Sequence, residues 1–154
     1  MKRDIERWEI VFGGVVFLAG LALRLRLALI TYLNPDEAIH ALLALGSWGD
    51  ALRNSLKVTH PPLMMAVTHA VLLISRTEFA LRFVPLLAGS LFPVLLFVWL
   101  RRVAGRMAAA TALFLLTLAP YLIAISAQLR SYTLALLLLS ASLVVLEQAL
   151  ESDQ

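Results

Sequence analysis

The sequence predicts an all-α, polytopic membrane protein, with about four transmembrane helices and two juxtamembrane interfacial helices in the first external loop. Three observations predict this. Hydrophobic residues make up 61% of the chain and charged residues only 15%, against roughly 45–50% and about 25% in a soluble domain. Four segments, 10–33, 79–100, 107–127 and 132–150, are apolar over the ~20 residues that a helix needs to cross the hydrocarbon core. The basic residues lie scattered beside those segments, so the net charge of +3 reads as a set of topology signals and not as a nucleic-acid surface. The chain has no cysteine, which excludes disulfides and thiolate metal sites.

The first span follows a basic start, Lys2, Arg3 and Arg7. Arg24 and Arg26 interrupt its distal half, and no A-x-A cleavage site precedes the polar break, so an uncleaved signal-anchor helix is expected. Asn34-Pro35-Asp36-Glu37 ends the span. Placed at 100° per residue, Asp36, His40, Ser47, Asp50 and Asn54 share a face, which predicts an amphipathic surface helix over 36–54, weakened or bent by Gly46 and Gly49. His60-Pro61-Pro62 opens a second helix over about 61–76; its prolines suit a first turn, and its apolar stretch is short for a crossing. It is expected to lie along the interface or to be re-entrant. Pro85, Pro93 and Pro120 fall inside apolar spans, where membrane helices tolerate proline. With no repeat or linker, residues 1–154 form a single membrane domain.

The turn at 101–106 carries Arg101, Arg102 and Arg106 and belongs in the cytoplasm, with the N-terminus. These arginines read as topology determinants only. Residues 34–78 and 128–131 are then external, with Trp8 and Trp99 at the inner interface and Tyr32 and Tyr132 at the outer one. A crossing by 61–76 would instead put the 101–106 turn outside.

Asp36 and Glu37 are the sharpest chemical feature. A carboxylate just outside a span can take a proton from a hydroxyl or help to bind a divalent cation. The same residues also suit a helix start: Asn34 as N-cap, Pro35 at N1, and acids next to the positive end of the helix dipole. His60 can bind a metal or a phosphate oxygen, or be a solvated interfacial histidine; His40, one turn from Asp36, can orient that carboxylate or line a polar face. His69 reads as a packing residue. Arg24, Arg26, Arg82 and Arg130 sit toward the external side. Each snorkels by default, but four at a similar depth suggest an anion-binding surface, since the guanidinium fork suits phosphate oxygens.

In order along the chain stand L-x-P-D-E-A-I-H at 33–40, T-H-P-P-L at 59–63, E-F-A-L-R-F-V-P-L-L-A-G at 78–89, R-R-V-A-G-R at 101–106, L-A-P-Y-L at 118–122 and Q-L-R-S-Y-T-L at 128–134. With these motifs the chain resembles the N-terminal part of the polyprenyl-phosphate-sugar-dependent glycosyltransferases of the GT-C fold. They include the dolichyl-phosphate-mannose–protein mannosyltransferase superfamily and bacterial relatives that glycosylate lipid A, lipopolysaccharide or cell-wall polymers. The resemblance implies that Asp36 is the external-loop general base and Glu37 its neighbour in the D-E motif. It implies that Arg130 and Tyr132 stand near the lipid phosphate. Where His60 stands, some relatives carry a metal-binding acid, so Glu37 and His60 are the candidate ligands for a divalent cation. Such enzymes run for several hundred residues, so this chain is expected to be a fragment, a truncated product or one part of a split enzyme, completed by a C-terminal part or a partner subunit.

The expected function is inverting transfer of a sugar from a polyprenyl-phosphate donor to a hydroxyl of a glycan, lipid or protein acceptor. The expected setting is a bacterial inner membrane, with the active-site loop periplasmic. Asp36 would serve the attacking hydroxyl, and arginines would stabilise the departing lipid phosphate. The alternative is a non-catalytic membrane protein, such as a scaffold or a transporter or flippase subunit, or an inactive truncated glycosyltransferase.

Overall fold

The computed structural model describes residues 6–57 and 61–152, which are helical throughout apart from short connections. Among the described residues, three helices are long and apolar enough to cross a membrane: α1 (Arg7–Ile30), α5 (Glu78–Val103) and α8 (Tyr132–Ser152). The bent pair α6 (Arg106–Leu118) and α7 (Pro120–Ser126), whose axes differ by 60°, makes a fourth candidate span when counted as one. Between α1 and α5 lie three short helices, α2 (Pro35–Leu43), α3 (Trp48–Lys57) and α4 (Pro62–Ile74). With 13 residues, α4 is roughly 20 Å long at ~1.5 Å per residue, which falls short of the ~30 Å hydrocarbon core.

The two ends of the bundle are marked by ion pairs. At one end Arg101 Nε donates to Glu9 Oε1 at 2.6 Å and Arg101 Nη2 to Glu9 Oε2 at 3.1 Å. Arg106 pairs with Glu6, and Arg102 stands 3.9 Å from Glu147. The start of α1, the 101–106 turn and the last turns of α8 therefore share one end. At the other end the Leu33 N–H donates to Glu78 at 3.0 Å, α4 packs there against the start of α5, and α2 packs against α4. The arginines of the 101–106 turn are thus more than topology signals: three acids, one of them the buried Glu9, hold the turn in place.

Helix α5 is the centre of the bundle and packs against α8, α6, α1 and α7. Its inner surface is made of small or shaped residues, Pro85, Leu86, Ala88, Gly89, Ser90 and Phe92, all buried. Large apolar side chains such as Val15, Leu18, Leu138 and Val145 point outward from the crossing helices, as a lipid-facing surface requires.

Two expectations about the elements change. The single helix over 36–54 is two helices. The chain turns at Gly46, whose φ of 98° lies in the left-handed region that glycine adopts without a Cβ penalty. Ser47 and Asp50 then cap α3 reciprocally: the Asp50 N–H donates to Ser47 Oγ and the Ser47 N–H to Asp50 Oδ2, each at 3.2 Å. The shared polar face dissolves with the break. Asp36 and Asp50 are exposed and His40 is buried, while Asn54 turns back to donate to the Leu43 carbonyl at 2.9 Å. Pro120 also does more than sit in a span. It breaks the fourth crossing, because the residue before a proline is forced toward extended geometry and Ala119 adopts it, with ψ 121°. Pro85 and Pro93 leave α5 continuous.

Candidate functional site

The site lies where α1 ends and α2 begins. Asn34 caps α2: its Oδ1 accepts the Glu37 N–H at 2.9 Å, and Glu37 Oε2 accepts the Asn34 N–H at 2.9 Å. This is a reciprocal capping box, with Pro35 at the first helical position. The helix start expected from these four residues is therefore present, and the Glu37 carboxylate is part of it.

Neighbours in sequence, the two carboxylates have opposite surroundings. Glu37 is 1% exposed and accepts four hydrogen bonds. Its Oε1 takes Arg82 Nε at 3.1 Å and the Leu129 N–H at 2.6 Å, while its Oε2 takes Arg82 Nη2 at 3.0 Å and the Asn34 N–H. Burial pushes the Glu37 carboxyl up, but these charged and backbone donors outweigh it and hold the carboxyl below its ordinary value. Its oxygens are committed, so Glu37 does not fit a metal ligand. Among the described residues no cluster of three or more metal-ligating side chains occurs, and His60 lies outside them.

Arg82 is equally occupied. Besides Glu37 it donates to the Thr31 carbonyl at 2.6 Å, Thr31 Oγ1 at 3.1 Å, the Ala28 carbonyl at 3.3 Å and the Tyr32 carbonyl at 2.7 Å. The Ala28 and Thr31 carbonyls belong to the last turn and C-cap of α1, where carbonyls lack helical partners and carry the negative end of the dipole, and Tyr32 follows the cap. All five guanidinium N–H groups are engaged, so Arg82 joins α1, α2 and α5 and offers no donor to a phosphate. The expected surface of four arginines does not form. Arg24 is buried deeper in the bundle, against α6 and α7. Arg26 is exposed on α1 without a partner among the described residues.

Arg130 is the arginine that meets the sequence motif. It pairs with Asp36, whose side chain is 67% exposed. Beside this pair is a recess of about 300 Å³ lined by His40, Pro61, Met64, Leu129, Arg130, Ser131 and Tyr132. Tyr132 is half-exposed at its edge. His40 lines the recess yet is buried, with Nε2 2.9 Å from Thr68 Oγ1. The Thr68 hydroxyl proton goes to the Met64 carbonyl at 2.8 Å, so His40 Nε2 is the donor and its ring ties α2 to α4. His69 packs as expected: Nδ1 donates to the Ala44 carbonyl at 2.8 Å, and the ring lies edge-on to Trp48 at 4.4 Å.

Sequence reasoning missed Leu129, whose backbone N–H carries no side-chain signal, and Thr68, a lone hydroxyl on a mostly apolar helix. Chemically, the assembly presents one exposed carboxylate on a capped helix start, the guanidinium paired with it, and a mixed polar and apolar recess open to the same surface.

Residues 59–154, more than half of the chain, match the family described as dolichyl-phosphate-mannose-protein mannosyltransferase. No curated protein and no solved structure matches. The matched stretch holds α4 to α8, with Arg82, Arg130 and Tyr132, and begins after Asp36.

Proposed function

The chain belongs to the dolichyl-phosphate-mannose-protein mannosyltransferase family, membrane glycosyltransferases of the GT-C type, and from that premise we propose that it carries the catalytic loop for sugar transfer from a polyprenyl-phosphate donor. Asp36 takes the proton of the acceptor hydroxyl as that oxygen attacks the anomeric carbon. Arg130, with Tyr132, receives the lipid phosphate, whose charge grows as the glycosidic bond breaks. Glu37 and Arg82 position both: Glu37 holds the Leu129 N–H next to Arg130 and caps the helix that carries Asp36. The spent lipid phosphate stays in the bilayer. The loop faces outward, because the basic 101–106 turn lies at the opposite end of the bundle.

The observation that carries this reading is the Asp36–Arg130 pair at the rim of the recess. It joins a base and an anion-binding group from distant parts of the chain, 94 residues apart. The test is Asp36→Asn, assayed with a radiolabelled polyprenyl-phosphate sugar beside thermal unfolding of the same preparation. Asn keeps shape and acceptor capacity, so stability should change by less than about 1 kcal/mol, while transfer should fall roughly 10²–10⁴-fold. Activity within threefold of wild type would remove Asp36 from catalysis and favour a non-catalytic membrane role.

A further inference from the structure

We propose that Arg24 is a positioning residue for the Asp36–Arg130 site, acting from inside the bundle through α7; this rests on the reading of that site given above. Arg24 is fully buried within α1, and among the described residues no carboxylate forms an ion pair with it. A guanidinium at membrane depth is costly without a counter-ion, so its hydrogen bonds indicate what keeps it there. Nη1 donates to the Gly20 carbonyl at 3.1 Å and to the Thr117 carbonyl at 2.8 Å, and Nε donates to Ser126 Oγ at 3.2 Å.

Those last two acceptors lie on either side of the 60° break. Thr117 belongs to the final turn of α6, where the turn at Ala119-Pro120 removes the N–H groups that would have closed the helix. Ser126 ends α7. One side chain on α1 therefore holds both halves of the broken crossing, and with them the angle between the halves. The neighbouring surfaces leave no slack. A Cβ on Gly20 would stand 2.1 Å from Thr117 Cγ2 and 2.9 Å from Arg24 Nη1, and a Cβ on Gly89 would stand 2.1 Å from Ser126 Oγ.

From Ser126 the chain runs directly into 127–131, where the Leu129 N–H meets Glu37 and Arg130 meets Asp36. The angle of α7 thus sets where Arg130 stands. The junction is not optimised for stability, since Arg24 Nη2 and Thr117 Oγ1 are both buried without a hydrogen-bond partner. A side chain kept for stability alone would more readily be apolar there.

The test uses the full chain in lipid nanodiscs and exploits its lack of cysteine. Spin labels at Val103→Cys and Gln128→Cys report the far end of α7 against the opposite end of α5; labels at Val103→Cys and Ile39→Cys report α2 as a control. Arg24→Met should broaden or shift the 103–128 distance distribution, leave the 103–39 distribution unchanged, and lower transfer on the order of 100-fold. Arg24→Lys should restore most of both. Ser126→Ala, which of the three Arg24 acceptors removes only that of Nε, should give a smaller broadening, and keeps the test available if Arg24→Met fails to fold. An unchanged 103–128 distribution in the folded variant, or equal broadening of both pairs, would overturn the positioning role. Neither result touches Asp36, whose role stands or falls with Asp36→Asn.

Discussion

Glu37 and Arg82 form a buried ion pair, which is tolerable only where the remaining lone pairs and protons find partners; here every one does. Glu37→Gln keeps the volume but leaves Arg82 buried against a neutral amide. The expected cost is about 3–5 kcal/mol, read from unfolding in detergent or nanodiscs. The pair also has a pH signature. Because the native Glu37 carboxyl lies below its ordinary value of 4.5, the unfolded chain binds the proton first as pH falls. The stabilisation is therefore complete above that ordinary value and is lost progressively as pH drops through the lower native one. Melting temperature should fall on acidification below about pH 4.5, and this component should vanish in Glu37→Gln; an identical acid response in both proteins would contradict it. Residue chemistry alone offered Asp36 and Glu37 as a pair, and only the resemblance singled out Asp36 as the base. Adjacent helical residues point about 100° apart, so one faces in and the other out, and which does which depends on Arg82, 45 residues later.

Among the elements, helix starts were legible; of the interruptions, Gly46 was legible as a weak point and the break at Pro120 was not. Asn34-Pro35-Asp36-Glu37 and Pro61-Pro62 announce α2 and α4 through local chemistry alone. Three prolines in apolar spans look alike on paper, yet only Pro120 breaks its helix, and there Arg24 supplies the donor that the break removes. Glycines divide in the same way. Gly89 lies where α5 meets α7 and α8, and its missing Cβ is what lets Ser126 and Thr133 approach. Gly89→Ala should destabilise by about 1–3 kcal/mol through overpacking, while Gly14→Ala, with nothing within 4 Å of the new Cβ, should be neutral or slightly stabilising through helix propensity. Melting the two variants side by side checks this; equal shifts would refute the close approach at Gly89.

For the whole molecule, the bent α6–α7 pair decides on which side the 127–131 segment lies relative to the 101–106 turn, and α5 decides it for the loop before it. With α5 crossing and α4 too short to cross, α2 and α3 emerge opposite the 101–106 turn. In the cysteine-free chain, Ser47→Cys should react with an impermeant thiol reagent from outside intact cells and Ala104→Cys should not; both sites are exposed. Positive charge retained in the cytoplasm is the physical basis, since the acids that pair with those arginines contribute little to topology. The reverse labelling pattern would invert the molecule and place the proposed site inside.

Composition and apolar run length by themselves determined that the chain is a helical membrane protein, because lipid leaves the backbone no partner outside the helix. Local capping chemistry likewise determined where the surface helices start, and the D-E motif marked the acids worth watching. Only the tertiary structure decided that Glu37 and Arg82 are framework, that Arg130 and not Arg24 or Arg26 stands opposite Asp36, and that the fourth crossing is broken. Those outcomes turn on which donors meet which acceptors across 45 to 102 residues of chain. A guanidinium in the membrane bonds whatever the packing brings within reach, and no single stretch of sequence encodes that choice.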